Sequence, residues 1–450
     1  MTTAASFIEF KARVNIVFVI DHAGRAGNGF FQTIFDQHPQ VIGCPWMHYV
    51  YSYVIAEYGE DDRLDARAVW QHWRGTIYFS LLYEDLNEER RAFITRIGGD
   101  PAACLDREVV RCAFDEILLG RDTITRKDLV LAIFYSYAAG LGRDPGKIAY
   151  IMSPDSISLR SEKAMEGFSG RVVDVVLRDF PQARLIHLVR DPRAGFASSN
   201  HQFVNQLGNM YGLKLGNFWH RLRRLLRRDL DWDSVFVFGF WLIYFRQTFE
   251  VVMRKREQYE EHFTTVRNED LNLNFVATVG KLADGLGIDR LDIWNADFQP
   301  TMLGRPWTGT GAYNSQDQKH RYGPLRNDPD DVARNVTSPN AYVTQRWRSR
   351  LSANEILIVE AMLAPELEAF GYEFLYWQGG PQDERRLRRA LWKPLRGELP
   401  TPRWLLDGRH VGARELADRV FYCIAFPVFY VASRVIFSAL LRNSGIFGKP

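Results

Sequence analysis

Apolar residues fall in two rhythms along this chain, as short unbroken runs and as residues spaced three or four apart. The run Val14, Ile16, Val17, Phe18, Val19, Ile20 is uniformly apolar and too short for a membrane span, which predicts a buried strand of a parallel sheet. Gly24, Gly27 and Gly29 then predict a turn, and Phe30 begins a helix. A second unit of this kind starts at Ala183. Leu185, Ile186, Leu188 and Val189 read as a buried strand, and Arg190-Asp191-Pro192 leads into a helix with proline in its first turn. Between the two units, Val41 to Tyr53 reads as a strand or turn entering an aromatic-rich segment, and Lys147 to Pro154 as another parallel strand. Ser161 to Phe180 reads as a crossover helix capped by Ser161. From Asp61 to Gly140 the pattern is helical with a polar face, carrying Trp70, Trp73, Ile77 and Leu81. Strands alternating with helices predict a three-layer α/β domain with a central parallel sheet over residues 1–376.

The pattern changes twice. His220 to Arg228 reads HRLRRLLRR and precedes the apolar Val235 to Phe245, which is too short to span a bilayer. Beyond Tyr376 the chain turns linker-like and basic, with Arg385, Arg386, Arg388, Arg389, Lys393, Arg396 and Arg403 among Trp392, Trp404 and several prolines. Val420 to Leu441 is then apolar except for Arg434. Pro427 and Arg434 argue for an interfacial or re-entrant helix rather than a span, with Arg419 and Arg442 snorkelling at its ends; a helix docked on the main domain or on a second subunit is the soluble alternative. Residues 377–450 are thus expected to form a helical, basic and hydrophobic extension that attaches the protein peripherally to a membrane.

Composition narrows the classes. With 57 basic against 54 acidic residues the net charge is +3, which gives no global support for nucleic-acid binding. The start of the chain lacks a charged segment followed by an apolar core and cleavage site, and the four cysteines (Cys44, Cys104, Cys112, Cys423) show no paired spacing. The expectation is a cytoplasmic protein with reduced thiols, on the inner face of the membrane. No Cys/His cluster suggests a metal.

The first glycine turn is suited to an anion, because left-handed glycines let successive N–H groups converge, and Arg25 adds a positive charge. A nucleoside triphosphatase loop would place Lys and then Ser or Thr after the second glycine, where this chain has Phe30 and Phe31. A kinase on the same plan, with magnesium-dependent ATP binding, is therefore disfavoured. A phosphate loop that needs no metal, on a P-loop-type fold, is the better reading; the alternative is an ordinary strand-turn-helix whose glycines serve packing.

Gly24-Arg25-Ala26-Gly27-Asn28-Gly29 followed by Asp36-Gln37-His38-Pro39 resembles the loop and D-x-H-P ending of sulfotransferases that use 3'-phosphoadenosine 5'-phosphosulfate. Ala26 and Gly29 stand where the family has hydroxyls, while Asn28 retains an amide donor. Arg190 and Ser198, eight residues apart, match the family's pair for the 3'-phosphate of the donor. Weaker echoes are Thr265 to Ile288, where Glu269 and Asp270 cap a helix, and Arg346-Trp347 with the closing segment Leu351 to Phe374. Asn314-Ser315 and Lys319-His320-Arg321 stand where relatives have a loop over the nucleotide.

The resemblance implies sulfuryl transfer from that nucleotide to a hydroxyl of a glycan, glycolipid or other amphipathic acceptor at a membrane surface, without a metal. Gly24, Arg25, Ala26, Gly27, Asn28, Gly29 and Phe30 would hold the 5' end of the donor, with Arg25 stabilising charge on the leaving group. The glutamate that many relatives use as base is missing from Pro45-Trp46-Met47; His48 is the candidate base and His22 the second choice. Met152 replaces a donor-binding lysine, with Ser153 or Asp155 as substitutes. Trp70, Trp73, Tyr78 and Tyr83 either stack on sugars or belong to the core. A homo-oligomer is compatible with all of this. The rival reading is a catalytically inactive relative that binds a nucleotide, or nothing, and serves as a membrane-associated partner; Ala26, Gly29, Met47 and Met152 favour it.

Overall fold

Five segments, four of them largely apolar, pair side by side into one parallel sheet. They are β1 (Asn15–Ile20), β2 (Val41–Gly43), β3 (Tyr150–Asp155), β4 (Arg184–Val189) and β5 (Phe263–Arg267), in the order β2-β3-β1-β4-β5. The computed structural model describes residues 3–22, 24–44, 47–60, 62–76, 79–84, 105–157, 168–227, 240–307, 338–406 and 412–443. In β1 and β3 five consecutive side chains are buried. Successive side chains on a strand point to opposite faces, so both faces of the sheet are covered, which is the expected three-layer arrangement.

Strand order sets the position of the site. From β1 the chain runs to β2 and β3 on one side, then crosses to β4 and β5 on the other. Connections diverging from β1 leave a crevice outside its carboxyl end, where open α/β sheets bind ligands. The glycine turn opens directly from that end into the helix Asn28–Ile34.

The Asp36 to Pro39 segment is a structural clamp. Asp36 accepts hydrogen bonds from Thr301 Oγ1 and from the backbone N–H groups of Leu303 and Gly304. His38 bonds the Asp289 carbonyl at 2.8 Å and stacks on Trp294, and its own carbonyl accepts from Arg143.

Several expectations are corrected. The crossover helix begins at Arg171 behind a left-handed Gly170, because residues 168–170 are not helical; Ser161 lies outside the described residues. Trp73 is a core residue against Tyr53 and Phe79, while Trp70 and Tyr83 both donate to Asp115; Ile77 and Tyr78 lie outside the described residues. In the C-terminal extension the apolar run belongs to one helix, Ala413–Asn443. Arg419 does not snorkel: it is buried, stacks over Trp404 and donates to the Trp404 carbonyl and to Glu415. Arg434 is fully buried against Glu398. These contacts hold the helix to the rest of the extension, and it docks on the main domain through Asp418, which accepts from Leu215 N, and through Phe421 and Phe429 against Phe218.

Candidate functional site

The turn after β1 is held in left-handed backbone at Gly24 (φ 65°), Arg25 (φ 66°) and Gly27 (φ 108°). For Arg25 that conformation costs about 1–2 kcal/mol, and such residues cluster at binding sites. Gly27 has a second requirement, since an added Cβ would lie 2.3 Å from Asn268 Nδ2.

Three of the residues singled out from the sequence meet here. Arg25 Nε donates to Ser198 Oγ at 3.1 Å, and Arg190 Nη1 donates to the Arg25 carbonyl at 3.1 Å. Arg190 Nη2 reaches the Val343 carbonyl at 3.4 Å, and its Nε is buried with no hydrogen-bond partner among the described residues. Arg190 sits at the end of β4, and Ser198 lies on the helix Pro192–Leu207, which Asp191 caps by accepting from Arg193 N. Asn28 Oδ1 and Ser199 Oγ are further buried polar atoms without a partner there.

The same turn holds an internal anion. Asp21 Oδ2 accepts from the Ala26 N–H and from Asn28 Nδ2, both at 3.2 Å. Two of the loop's donors are therefore directed at the protein's own carboxylate. Sequence patterning could not reveal this, because Asp21 reads only as a polar residue ending a strand.

The two histidines part company. His48 lies half-buried in the turn after β2, beside Tyr49, which has left-handed backbone (φ 62°). β2 is two strands from β1, so this turn stands about 10 Å from the loop along the same carboxyl edge. His22 instead points inward: Nδ1 lies 2.8 Å from His187 Nε2, and Nε2 lies 2.8 Å from Glu366 Oε1. Burial lowers its proton affinity, but the Glu366 carboxylate, assisted by Asp21, more than offsets this and leaves the pKa raised. His187 is driven well below the usual histidine range by burial and by its neighbour His22. His22 is thus a buried brace under the loop rather than a base facing the crevice.

Met152 is core, packed against Gly43. Asp155 is buried at the end of β3, where it accepts from Ser52 Oγ at 2.5 Å, Ser52 N at 3.1 Å and Ser156 N at 2.8 Å. Burial raises its pKa to about 6 against the pull of those donors. It fastens the helix Val50–Tyr58 to the sheet rather than facing a ligand.

Behind the corner lies a network that sequence reading missed. Glu269 does more than cap a helix: it accepts from Asp191 N at 3.0 Å and from Tyr372 Oη at 2.7 Å. Burial raises its pKa, opposed by those bonds and by Arg190. Pro45, Trp46, Asn314-Ser315 and Lys319-His320-Arg321 lie outside the described residues. Among the described residues no His/Cys/Asp/Glu group is arranged to hold a metal.

No family model matches the chain, and no curated protein matches it. Among solved structures it is similar to the sulfotransferase domain of the curacin biosynthetic pathway, at 14% identity over 80% of this chain and 99% of that one, with a TM-score of 0.43. The sulfotransferase domain of the Synechococcus PCC 7002 olefin synthase aligns at 17% identity over 81% of this chain and 97% of that one, with a TM-score of 0.41. A sulfotransferase from Mycobacterium avium aligns at 14% identity over 80% of this chain and 78% of that one, with a TM-score of 0.33.

Proposed function

We propose that the chain is a sulfotransferase that binds 3'-phosphoadenosine 5'-phosphosulfate in the crevice at the end of β1 and transfers its sulfuryl group to an acceptor hydroxyl. The observation that carries this reading is the corner formed by Arg25, Arg190 and Ser198, in which the half-buried Arg190 has a buried Nε donor with no partner among the described residues. A buried donor without a partner costs about 1–3 kcal/mol, so the corner is incomplete as it stands and a phosphate oxygen completes it.

The residues fit the nucleotide. Arg190 and Ser198 are suited to the 3'-phosphate, for which a guanidinium offers a charged fork and a serine a single donor. Backbone and side chains from Gly24 to Phe30, Arg25 among them, are suited to the 5' end. When bound, the nucleotide supplies an electrophilic sulfuryl group attached through a bridging oxygen. Arg25 would hold a positive charge near that oxygen, where negative charge develops. His48 would take the proton of the acceptor hydroxyl at its ring nitrogen, from the turn after β2, two strands away. The acceptor is an amphipathic alcohol such as a glycolipid or lipid-linked glycan, presented at a membrane surface; the apolar outer face of the C-terminal helix supports this part of the reading.

Calorimetric titration with 3'-phosphoadenosine 5'-phosphate, the donor product, tests it. Wild-type protein should bind, and Arg190→Ala should bind at least tenfold more weakly. Folded protein that fails to bind millimolar ligand overturns the enzyme reading. A second reading, a relative that binds the nucleotide without turnover, is favoured by Asp21 directing two loop donors inward and by Met152 in the core. Binding without sulfation of any acceptor alcohol would select it.

A further inference from the structure

The helix Ala413–Asn443 has two faces of opposite kind. Its inner face is clamped to the protein. Arg434 and Glu398 pair at 2.5 Å with both side chains fully buried, Tyr211 Oη donates to the same carboxylate, and Tyr422 Oη donates to the Glu398 carbonyl at 2.7 Å. Its outer face carries Leu416, Val420, Ile424, Val428, Val431 and Val435, a spacing of three or four that makes one stripe. Ile424 is 71% exposed and the other five between 43% and 55%. The stripe runs about 29 Å along the helix. From Val420 to Leu441 the only charged residue is Arg434, and it faces inward.

Both flanks of the stripe carry an exposed tryptophan and positive charge. On one side Phe218 packs against Phe421 and Phe429, and Leu215 N donates to Asp418. This seats the helix Phe218–Arg227, with Trp219 73% exposed and His220, Arg223 and Arg227 facing solvent. On the other side Tyr430 Oη donates to the Trp392 carbonyl and Arg434 to that of Lys393. Trp392 is 48% exposed there, followed by exposed Lys393 and preceded by exposed Arg388 and Arg389.

We propose that this face docks flat on an anionic lipid surface. The aliphatic stripe would enter the boundary between headgroups and acyl chains, the two tryptophans would sit at headgroup depth, and the cations would meet the lipid phosphates and carboxylates. Tryptophan and arginine bordering an aliphatic face is the composition of an interfacial helix, and the positive charge on both flanks selects an anionic bilayer over an apolar protein partner. Among the described residues this is the one helix long and apolar enough to cross a membrane. Spanning would nevertheless separate Arg434 from Glu398 and strand a charge in hydrocarbon, so the helix lies on the surface. The proposal rests on the reading of an acceptor at a membrane surface and names the docking face and the lipid charge; its test does not depend on donor binding.

Full-length protein is sedimented with vesicles of phosphatidylcholine alone and of equimolar phosphatidylcholine and phosphatidylserine. Strong pelleting is expected only with the second, weakening as salt rises. Ile424→Asp/Val428→Asp and Arg223→Glu/Arg227→Glu should each cut partitioning at least tenfold, while titration with 3'-phosphoadenosine 5'-phosphate gives the wild-type affinity. Equal pelleting by wild type and both variants, or none with either vesicle, overturns the proposal. So does light scattering that shows a dimer made monomeric by Ile424→Asp/Val428→Asp without vesicle binding, since the face would then join two copies. Loss of nucleotide binding in wild-type protein would instead count against the donor reading and leave the docking face standing.

Discussion

Two arginines three residues apart, on opposite sides of one helix start, have opposite surroundings. On the core side, Arg193 pairs with Asp191 and Glu360, both at 2.8 Å, donates to the Glu373 carbonyl and lies over Trp347. On the crevice side, Arg190 meets two carbonyls and has an unused Nε. Among the described residues no carboxylate comes within ion-pair distance of Arg190. The difference separates a cation that the fold neutralises from one that it leaves with carbonyl partners alone.

The largest effect should come from breaking the neutralised side. Arg193→Ala would leave Asp191 and Glu360 buried without their cation, a loss of about 3–5 kcal/mol, seen as a lower midpoint in denaturant. Next is Asp155, whose folded pKa, pushed by burial to about 6, lies above the ordinary aspartate value of 3.8. The folded state therefore holds the proton more tightly, and stability falls as pH rises from about 4 to about 6, by roughly 3 kcal/mol at 1.36 kcal/mol per unit. Denaturation of wild type and Asp155→Asn across this range should show wild type losing ground to the variant as pH rises. A constant gap would refute the shift. Arg190→Ala is the counterpart to Arg193→Ala: with only carbonyl partners lost, stability should change by no more than about 1 kcal/mol, while nucleotide affinity falls at least tenfold. If Arg190→Ala unfolded the protein as Arg193→Ala does, the distinction between the two sides would fail.

Local signals made part of this legible from the sequence. The strands β1 and β4 show as short apolar runs, the second interrupted only by His187, and the eight-residue spacing of Arg190 and Ser198 places them on a strand end and two turns into a helix. The unread part depends on long-range partners. Arg193 owes much of its difference from Arg190 to partners far along the chain: Glu360, 167 residues on in sequence, Glu373 and Trp347. Arg434 looked like an obstacle to burial in an apolar helix until Glu398 met it, and His22 looked available as a base until His187 and Glu366 enclosed it. Periodicity reports a residue's face; it does not report which charge waits across the interface.

The smallest expected effect concerns the sign of one charge inside the glycine turn. Asp21 places a carboxylate on two donors of the loop, so under the proposed reading loop and ligand would compete for them. Asp21→Asn keeps an oxygen that can accept from Ala26 N–H and removes the negative charge. If the carboxylate serves only to fill the loop until a ligand arrives, affinity for 3'-phosphoadenosine 5'-phosphate should rise about threefold, roughly 0.6 kcal/mol, the scale of a single screened charge interaction. If the carboxylate instead holds the turn, with its left-handed Gly24, Arg25 and Gly27, in the shape that binding needs, affinity falls. The fold must then supply both arginine and aspartate before a ligand can enter, and the crevice side of the helix start would be as closed electrostatically as the core side. Titration of this one variant beside Arg190→Ala decides between an open half-site and a sealed one.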